Sequence, residues 1–406
     1  MTDAAMAQAE TALPTLRSVR AALAVTTHGS TTAAAGALRL SQPTVARAIA
    51  QMEDNLGVQL FERSRQGMRP TAQGTPFLAR VRETLAHLAR ADAGPWRTPI
   101  GGGRLAAQVG ERQLDVVVML ATAGSQRRAA ARLGMTQASV QQALAQVEHL
   151  AGEPLFDRLA GGLRPTSRGA WVAHHAALAL REMQALAEDA AAVRGRLHGR
   201  LAIGTLPYST GAVVSAALQH VSARWPALQL SVVDGTYDIL RGSLQQAQID
   251  IMVGALRPQV PADLRQVHLF HDPLAFLVRA GHPLLTRRRL RLADLGRAQW
   301  VLPMAGSPAW EVLARAFDAH DLPAPAGVHI NSPALIATLL QQSDRLAVAP
   351  PSQWHGELQA GLLATLRVAL PHPPRAIGFT VRSGFAPTPA LAAFQEALAA
   401  AAAPRG

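Results

Sequence analysis

The sequence predicts a multidomain fold: two all-α-dominated modules, a long helix, and an α/β domain at the C-terminal end. Three observations predict it. A segment recurs once at an offset of 95 residues, Gly29 to Gly74 against Gly124 to Gly169, with 20 identities in 46 positions and no gap. A proline-free run rich in Ala, Leu, Glu and Arg follows, from Gly169 to Leu197. Beyond Arg200, short apolar runs alternate with helical stretches, the pattern of an α/β sheet. Two copies are too few for a solenoid, so the repeat reads as tandem copies of one small domain.

In the first copy, Leu16 to Thr27 is an apolar helical stretch. Ser30 is placed to cap a second helix through Ala33, Ala34, Ala35 and Ala37, whose small side chains admit a crossing helix. Leu38-Arg39-Leu40 makes a turn. Ser41 then caps a third helix with Pro43 in its first turn, where a missing N–H costs nothing. Val45, Ile49 and Met52 are spaced to face a core, leaving Gln42, Thr44, Arg47 and Gln51 on other faces. Short helix, tight turn and polar-faced helix make a helix-turn-helix, whose second helix enters the major groove of DNA. After Gly57, the segment Gln59 to Thr71 carries Arg63, Arg65 and Arg69 around Gly67, which suits a two-stranded wing on the phosphate backbone.

The second copy keeps the frame with Thr136, Gln137 and Ser139 at the helix start. Gln142 stands where the first copy has Arg47. Arginine can donate two bonds to guanine, whereas glutamine suits adenine and lacks the charge that adds phosphate affinity. Arg158, Arg164 and Arg168 keep its wing basic. Two roles stay open for this copy: a second DNA reader, or a degenerate fold used for dimer packing.

The boundaries expected are a first winged helix-turn-helix domain over 10–92, a Gly/Pro-rich linker over 93–105, a second winged domain over 106–168, and a linker or dimerisation helix over 169–198. An effector-type domain fills 199–406, with one lobe of 199–274 plus 374–406 and another of 275–373. In the helix, Trp171, Leu178, Leu186 and Val193 form an apolar stripe that calls for a partner, read as another copy of the chain. The strands expected are Leu201–Gly204, Leu228–Val233, Ile249–Gly254, Ala275–Val278, Arg345–Ala349 and Ile377–Val381, with parallel pairing. Val213–Trp225, Leu240–Gln248 and Pro333–Gln342 are the helices between them.

The segment SQPTVARAIAQMEDNLGVQLFERSRQGMRPTAQG resembles the N-terminal winged helix-turn-helix of LysR-type transcription regulators. Met52 stands where the family has leucine, and Pro70 where it has the leucine before Thr71. The stretch from Gly199 to Arg257, with the later HPLL, LADL, SDRLAV and IGFTVR, is similar to the family's effector-binding domain. That resemblance implies two lobes of the type 2 periplasmic-binding-protein kind, with ligand between them. The implied partners are promoter DNA, a small effector (a carboxylate or a sugar), further copies of the chain, and RNA polymerase. Thr205, Pro207, Tyr208, Ser209 and Thr210 follow the first strand of the domain. Their hydroxyls and free N–H groups at a helix start suit an anionic or polyhydroxylated ligand. Thr236 after the second strand would face the same cleft, with Pro303, Ser307 and Ser332 from the other lobe. Each of these also fits a helix cap or a turn.

The chain holds 49% hydrophobic residues and a formal net charge of +12, with no lysine and no cysteine. The surplus is spread along the chain, so pattern rather than charge carries the DNA argument. The lack of cysteine removes disulfides, thiolate metal sites and cysteine nucleophiles. The fourteen histidines show no metal-ligand spacing. There is no Gly-x-Ser-x-Gly elbow, P-loop or dinucleotide fingerprint, which leaves an enzyme, and any cofactor, without a motif. The start carries acids and no long apolar segment, so a secreted solute-binding protein is disfavoured and the cytoplasm is the expected compartment.

Overall fold

The structure, a computed structural model, describes residues 13–64, 67–95, 103–208, 211–370 and 373–403. The chain divides into two compact units, Met1–His198 and Gly199–Gly406.

In the first unit, α1 (Leu16–His28), α2 (Thr31–Leu38) and α3 (Gln42–Leu56) precede the hairpin β1 (Phe61–Ser64) and β2 (Gly67–Pro70), and α4 (Gly74–Ala93) follows. After the short α5 (Arg104–Gln108), the same order returns: α6 (Glu111–Ala123), α7 (Gln126–Leu133), α8 (Gln137–Ala151), the hairpin β3 (Phe156–Leu159) and β4 (Gly162–Pro165), then α9 (Ser167–Val193). Ser30, Ser41 and Thr136 cap their helices as their positions predict, accepting from the backbone N–H of Ala33, Thr44 and Ser139. Such caps contribute about 1 kcal/mol each.

Shared residues of the repeat explain the wing. Gly67 and Gly162 have φ of +115° and +141°, and a Cβ on either would lie 2.3 or 2.2 Å from the carbonyl oxygen of Gly29 or Gly124. The next residues, Met68 and Leu163, donate to those same carbonyls. Each wing is thus pinned to the end of the first helix of its own copy. Glu53 accepts from the N–H groups of Leu60 and Phe61, and Glu148 does the same for Leu155. Those carboxylates fix where the chain leaves the recognition helix.

The long helices depart from expectation. α9 runs from 167 to 193 rather than 169 to 198, and its buried line is Val172, Ala176, Ala179, Met183, Leu186 and Ala190. Of the stripe Trp171, Leu178, Leu186 and Val193, only Leu186 is fully buried, and Val193 is 58% exposed. The alanines carry the seam, and their weak hydrophobic contrast hides it. Its partner, moreover, is α4 of the same chain, not another copy. There Phe77, Val81, Thr84, Leu88 and Ala91 are buried at the matching repeat positions. Both lines step by four and three, as in a coiled-coil seam. Of the region read as a linker, Ala93 closes α4 and Arg104 opens α5, while 96–102 lie outside the described residues.

The second unit holds two five-stranded sheets. The first, in the order β6-β5-β7-β14-β8, comprises β5 (Gly199–Thr205), β6 (Leu228–Asp234), β7 (Ile251–Ala255), β8 (Leu264–Asp272) and β14 (Arg375–Arg382). The helices α10 (Gly211–Arg224), α11 (Tyr237–Gln245) and α15 (Pro389–Ala402) belong to this part of the chain. The second sheet, in the order β11-β10-β12-β9-β13, comprises β9 (Ala275–Arg279), β10 (Trp300–Leu302), β11 (Gly327–His329), β12 (Leu346–Ala349) and β13 (Leu363–Thr365). With it come α12 (Pro308–Asp318), α13 (Pro333–Gln341) and the short α14 (His355–Gln359).

Pairing is mixed rather than parallel. β5 runs parallel to β6 and β7, but β14 is antiparallel to β7 and β8, and β9 is antiparallel to β12 and β13. The chain passes between sheets at β8–β9 and β13–β14. At those passages Arg375 donates to Asp272 at 3.2 Å, and Ser352 donates to the same carboxylate.

Candidate nucleic-acid interface and effector cleft

The burial of α3 follows its sequence spacing. Val45, Ile49, Met52 and Leu56 are buried, Thr44 is half-buried, and Gln42, Arg47 and Gln51 are exposed. Ser41 and Thr44 hold their hydroxyl oxygens 2.8 Å apart at the helix start, and Gln42 donates to Thr31. The last contact ties the recognition helix to the one before it. Arg63 and Arg69 are exposed on the wing, while Arg65 lies outside the described residues.

The second copy reproduces this placement. Gln137 and Gln142 are exposed, Ser139 is half-buried, and the Thr136 and Ser139 hydroxyl oxygens again lie 2.8 Å apart. Arg158 and Arg164 are exposed on the wing, with Arg164 within 3.9 Å of Asp157. Arg168 bonds Glu153 at 2.5 Å, so it braces the wing rather than pointing outward. One set of residues went unread in the sequence. α7 carries exposed Arg127, Arg128 and Arg132 where α2 has Thr32, Ala33 and Ala37. The signal was there, as a loss of identity confined to one helix. In this motif the helix before the recognition helix crosses the phosphate backbone.

In the second unit the predicted effector residues fall into two groups. Thr205 is buried and donates to Asp234 at the ends of adjacent strands. Tyr208, at φ +70°, is buried and donates from its hydroxyl to the carbonyl of Ile330 at 3.1 Å. Burial pushes its phenol up to about 12. Both hydroxyls are therefore committed to protein partners, a correction to their reading as ligand donors. Ser307 and Ser332 cap α12 and α13, accepting from Trp310 and Leu335, and Pro303 is buried with its carbonyl accepting from His329. Pro207 and Thr236 are half-buried, and Thr236 makes no capping bond. Ser209 and Thr210 lie outside the described residues.

Sequence reasoning missed Arg257. Its guanidinium lies 4.5 Å from the centre of the Tyr237 ring, and its Nη1 donates to the carbonyl of Gly306 at 2.9 Å. It thus joins the segment after β6 to the loop between Pro303 and Ser307. Its Nε is buried without a partner, and burial lowers its pKa. A single arginine after a strand carries no signal, because its partners lie far away in sequence.

Comparison with known proteins agrees with this geometry. The model of the bacterial regulatory helix-turn-helix protein, lysR family, matches twice, over residues 16–75 and 111–170. The LysR substrate binding domain matches residues 194–403. The HTH-type transcriptional regulator GalR of Pseudomonas putida is 36% identical over 383 residues, 94% of this chain and 96% of that protein. GbpR of Azospirillum brasilense is 29% identical over 60% of this chain and 72% of its own length. Two solved structures share the fold. One is a full-length OxyR variant from Pseudomonas aeruginosa (TM-score 0.57, 21% identity, 73% of this chain and 95% of that one). The other is full-length CbnR complexed with its target DNA (TM-score 0.52, 20% identity, 72% and 100%). Both leave about a quarter of this chain uncovered, whereas the GalR alignment spans nearly all of it. With one family model on each helical repeat and another over the α/β unit, the chain belongs to the LysR family of bacterial helix-turn-helix transcriptional regulators.

Proposed function

We propose that this DNA-binding transcriptional regulator reads its promoter through Ser41, Gln42, Thr44 and Arg47, with Arg63, Arg65 and Arg69 on the phosphates. The family supplies the regulator and its effector domain, and rules out an enzyme; the residue assignments are ours. The observation that carries them is α3 itself. Its apolar side is fully used in the core while Gln42, Arg47 and Gln51 stand in solvent behind a Ser41 cap. Such a helix start presents donors and acceptors that match base edges in a major groove. The second recognition set is Thr136, Gln137, Ser139 and Gln142, with Arg158 and Arg164.

The effector is a small anionic or polar metabolite, a carboxylate before a sugar, held between the two sheets of the second unit. Arg257 supports the anion: it is cationic, partly desolvated, and has donor capacity left unused between the Tyr237 ring and the Gly306 carbonyl. A ligand that binds one lobe arrangement better than another shifts the population of DNA-binding states. Self-association and action in the cytoplasm belong to the same reading. No helix among the described residues is long and apolar enough to cross a membrane.

The test is binding of the purified chain to the DNA upstream of its own gene at several salt concentrations. Wild type should bind with steep salt dependence, and Arg47→Ala should weaken binding about tenfold. Unchanged affinity in Arg47→Ala would remove the first repeat from the DNA.

A further inference from the structure

The two repeats do more than recur; they are paired about a pseudo-two-fold axis inside one chain. The backbone N–H of Leu16 donates to the side chain of Glu111, a residue 95 positions later and therefore its own repeat counterpart. Two equivalent positions in contact lie on or near a symmetry axis. The long helices obey the same axis. Arg80 of α4 bonds Glu182 and Asp189 of α9. Under the repeat, Arg80 corresponds to His175 and Glu182 to His87, and those two rings lie 5.7 Å apart. Trp171 donates to the carbonyl of Arg90, so partners on α9 fall in number as those on α4 rise. The helices run antiparallel.

The cores exchange material in both directions. Leu88 and Ala91 of α4 pack in the core of the second repeat. Leu186 and Ala190 of α9 pack in the core of the first. Ala91 and Leu186 are repeat counterparts. Arg194, just past α9, donates to the carbonyl of Leu56 at the end of α3, at 2.6 Å. The apolar seam of each long helix is therefore satisfied within the chain.

We propose that one chain is a fused, asymmetric reader of two half-sites, in which α3 and α8 address inverted half-sites of different sequence. The proposal rests on the first repeat binding DNA and extends it to the second. Three observations favour a working second reader over a packing remnant. The Thr136–Ser139 helix start repeats the Ser41–Thr44 geometry at the same 2.8 Å. Gln137 and Gln142 are exposed, not spent on the pairing surface. The charge missing at Gln142 is offset on the preceding helix by exposed Arg127, Arg128 and Arg132. The second repeat therefore takes its affinity from phosphates and its base choice from an uncharged amide. A pair related by a two-fold axis reads half-sites in inverted orientation. Because Arg47 favours guanine and Gln142 adenine, the two halves differ at the equivalent base.

The test has two arms, both on the full chain. The chain has no cysteine, so Arg90→Cys with Trp171→Cys, at the exposed contact between the two helices, provides the only two thiols for a short bis-maleimide. Cross-linked product running as a single chain on a denaturing gel supports the intrachain pair; product at twice the mass overturns it. In the second arm, wild type, Arg47→Ala, Gln142→Ala and Gln142→Arg each select sites from random DNA. The expected wild-type site has two unlike inverted halves. Arg47→Ala should lose about tenfold base preference in one half, Gln142→Ala in the other, and Gln142→Arg should make the halves alike. If Gln142 variants select the wild-type site while Arg47→Ala does not, the fused reader is overturned and the first repeat's role survives. If neither residue matters, the DNA reading of both repeats falls together.

Discussion

Arg47 and Arg257 put one side chain to two uses, and surroundings decide which. Arg47 stands in solvent on a helix whose opposite side is packed, so its charge is available to a macromolecule. Arg257 is partly desolvated against Tyr237, so its charge is costly unless an anion joins it. Arg257→Met should therefore weaken an anionic effector about tenfold by calorimetry and leave effector-free DNA binding unchanged. Equal effector affinity in wild type and variant would move the anion site elsewhere. His175 presents a different case: both ring nitrogens are buried without partners, and it packs against Trp171, His174 and His87. Burial, then His174, His87 and Arg90, lower its pKa from 6.5 to about 3. Between those values the unfolded chain binds the extra proton. Stability from this residue is thus intact above about pH 6.5 and is lost as the pH falls towards 3, at roughly 1 kcal/mol per pH unit. Urea unfolding of His175→Leu at pH 7 and pH 5 should show a smaller loss than wild type; an equal loss would place the acid sensitivity in other groups. Ser41 and Pro43 could be read from the sequence because their roles are local. Arg257 and His175 could not, because their roles come from residues that meet only in the fold.

At the scale of elements, the helix-turn-helix was legible and the helix pair was not. Polar and apolar residues alternate sharply on α3, so its faces show. On α9 half of the buried line is alanine, and Trp171 and Val193, the conspicuous apolar residues, lie off it. α4 shares the seam positions of α9 although the identity of the repeats fades after Gly74. The fold kept the pattern of burial after the residues had diverged. The strands β8, β10, β11 and β13 were missed for a related reason: three are only three residues long, and β8 alternates burial irregularly. The pair α4–α9 is held at one end by buried Arg80 and Glu182 together with half-buried Asp189. Burial alone would lower the Arg80 pKa, but Asp189 and Glu182 outweigh it and raise it. Arg80→Met removes the cation and strands two carboxylates, which should cost on the order of 3 kcal/mol in urea unfolding. Adding Glu182→Gln should recover part of that loss. If the single variant unfolds like wild type, the pairing rests on the apolar seam alone.

At the scale of the molecule, part of the charge that looks diffuse along the sequence is exposed on both helical repeats. The net +12 has no basic tail behind it, yet exposed arginines stand on the recognition helix and wing of one repeat (Arg47, Arg63, Arg69) and on the preceding helix and wing of the other (Arg127, Arg128, Arg132, Arg158). A polyelectrolyte partner registers this through counterion release. Each phosphate neutralised adds about 0.9 to the slope of log affinity against log salt. If both repeats touch DNA, Arg63→Ala and Arg128→Ala should each flatten that slope by about 0.9, and together by about twice as much, since the sites are far apart in their contacts. Arg257→Met should leave it unchanged, because effector recognition involves no phosphate. The measurement separates charge from base choice: Gln142→Ala should alter which sequence is preferred and hardly move the slope. A slope that responds to Arg63 but not to Arg128 would mean that the cations of α7 serve folding or another partner, and that the second repeat touches DNA without the phosphate grip assigned to it.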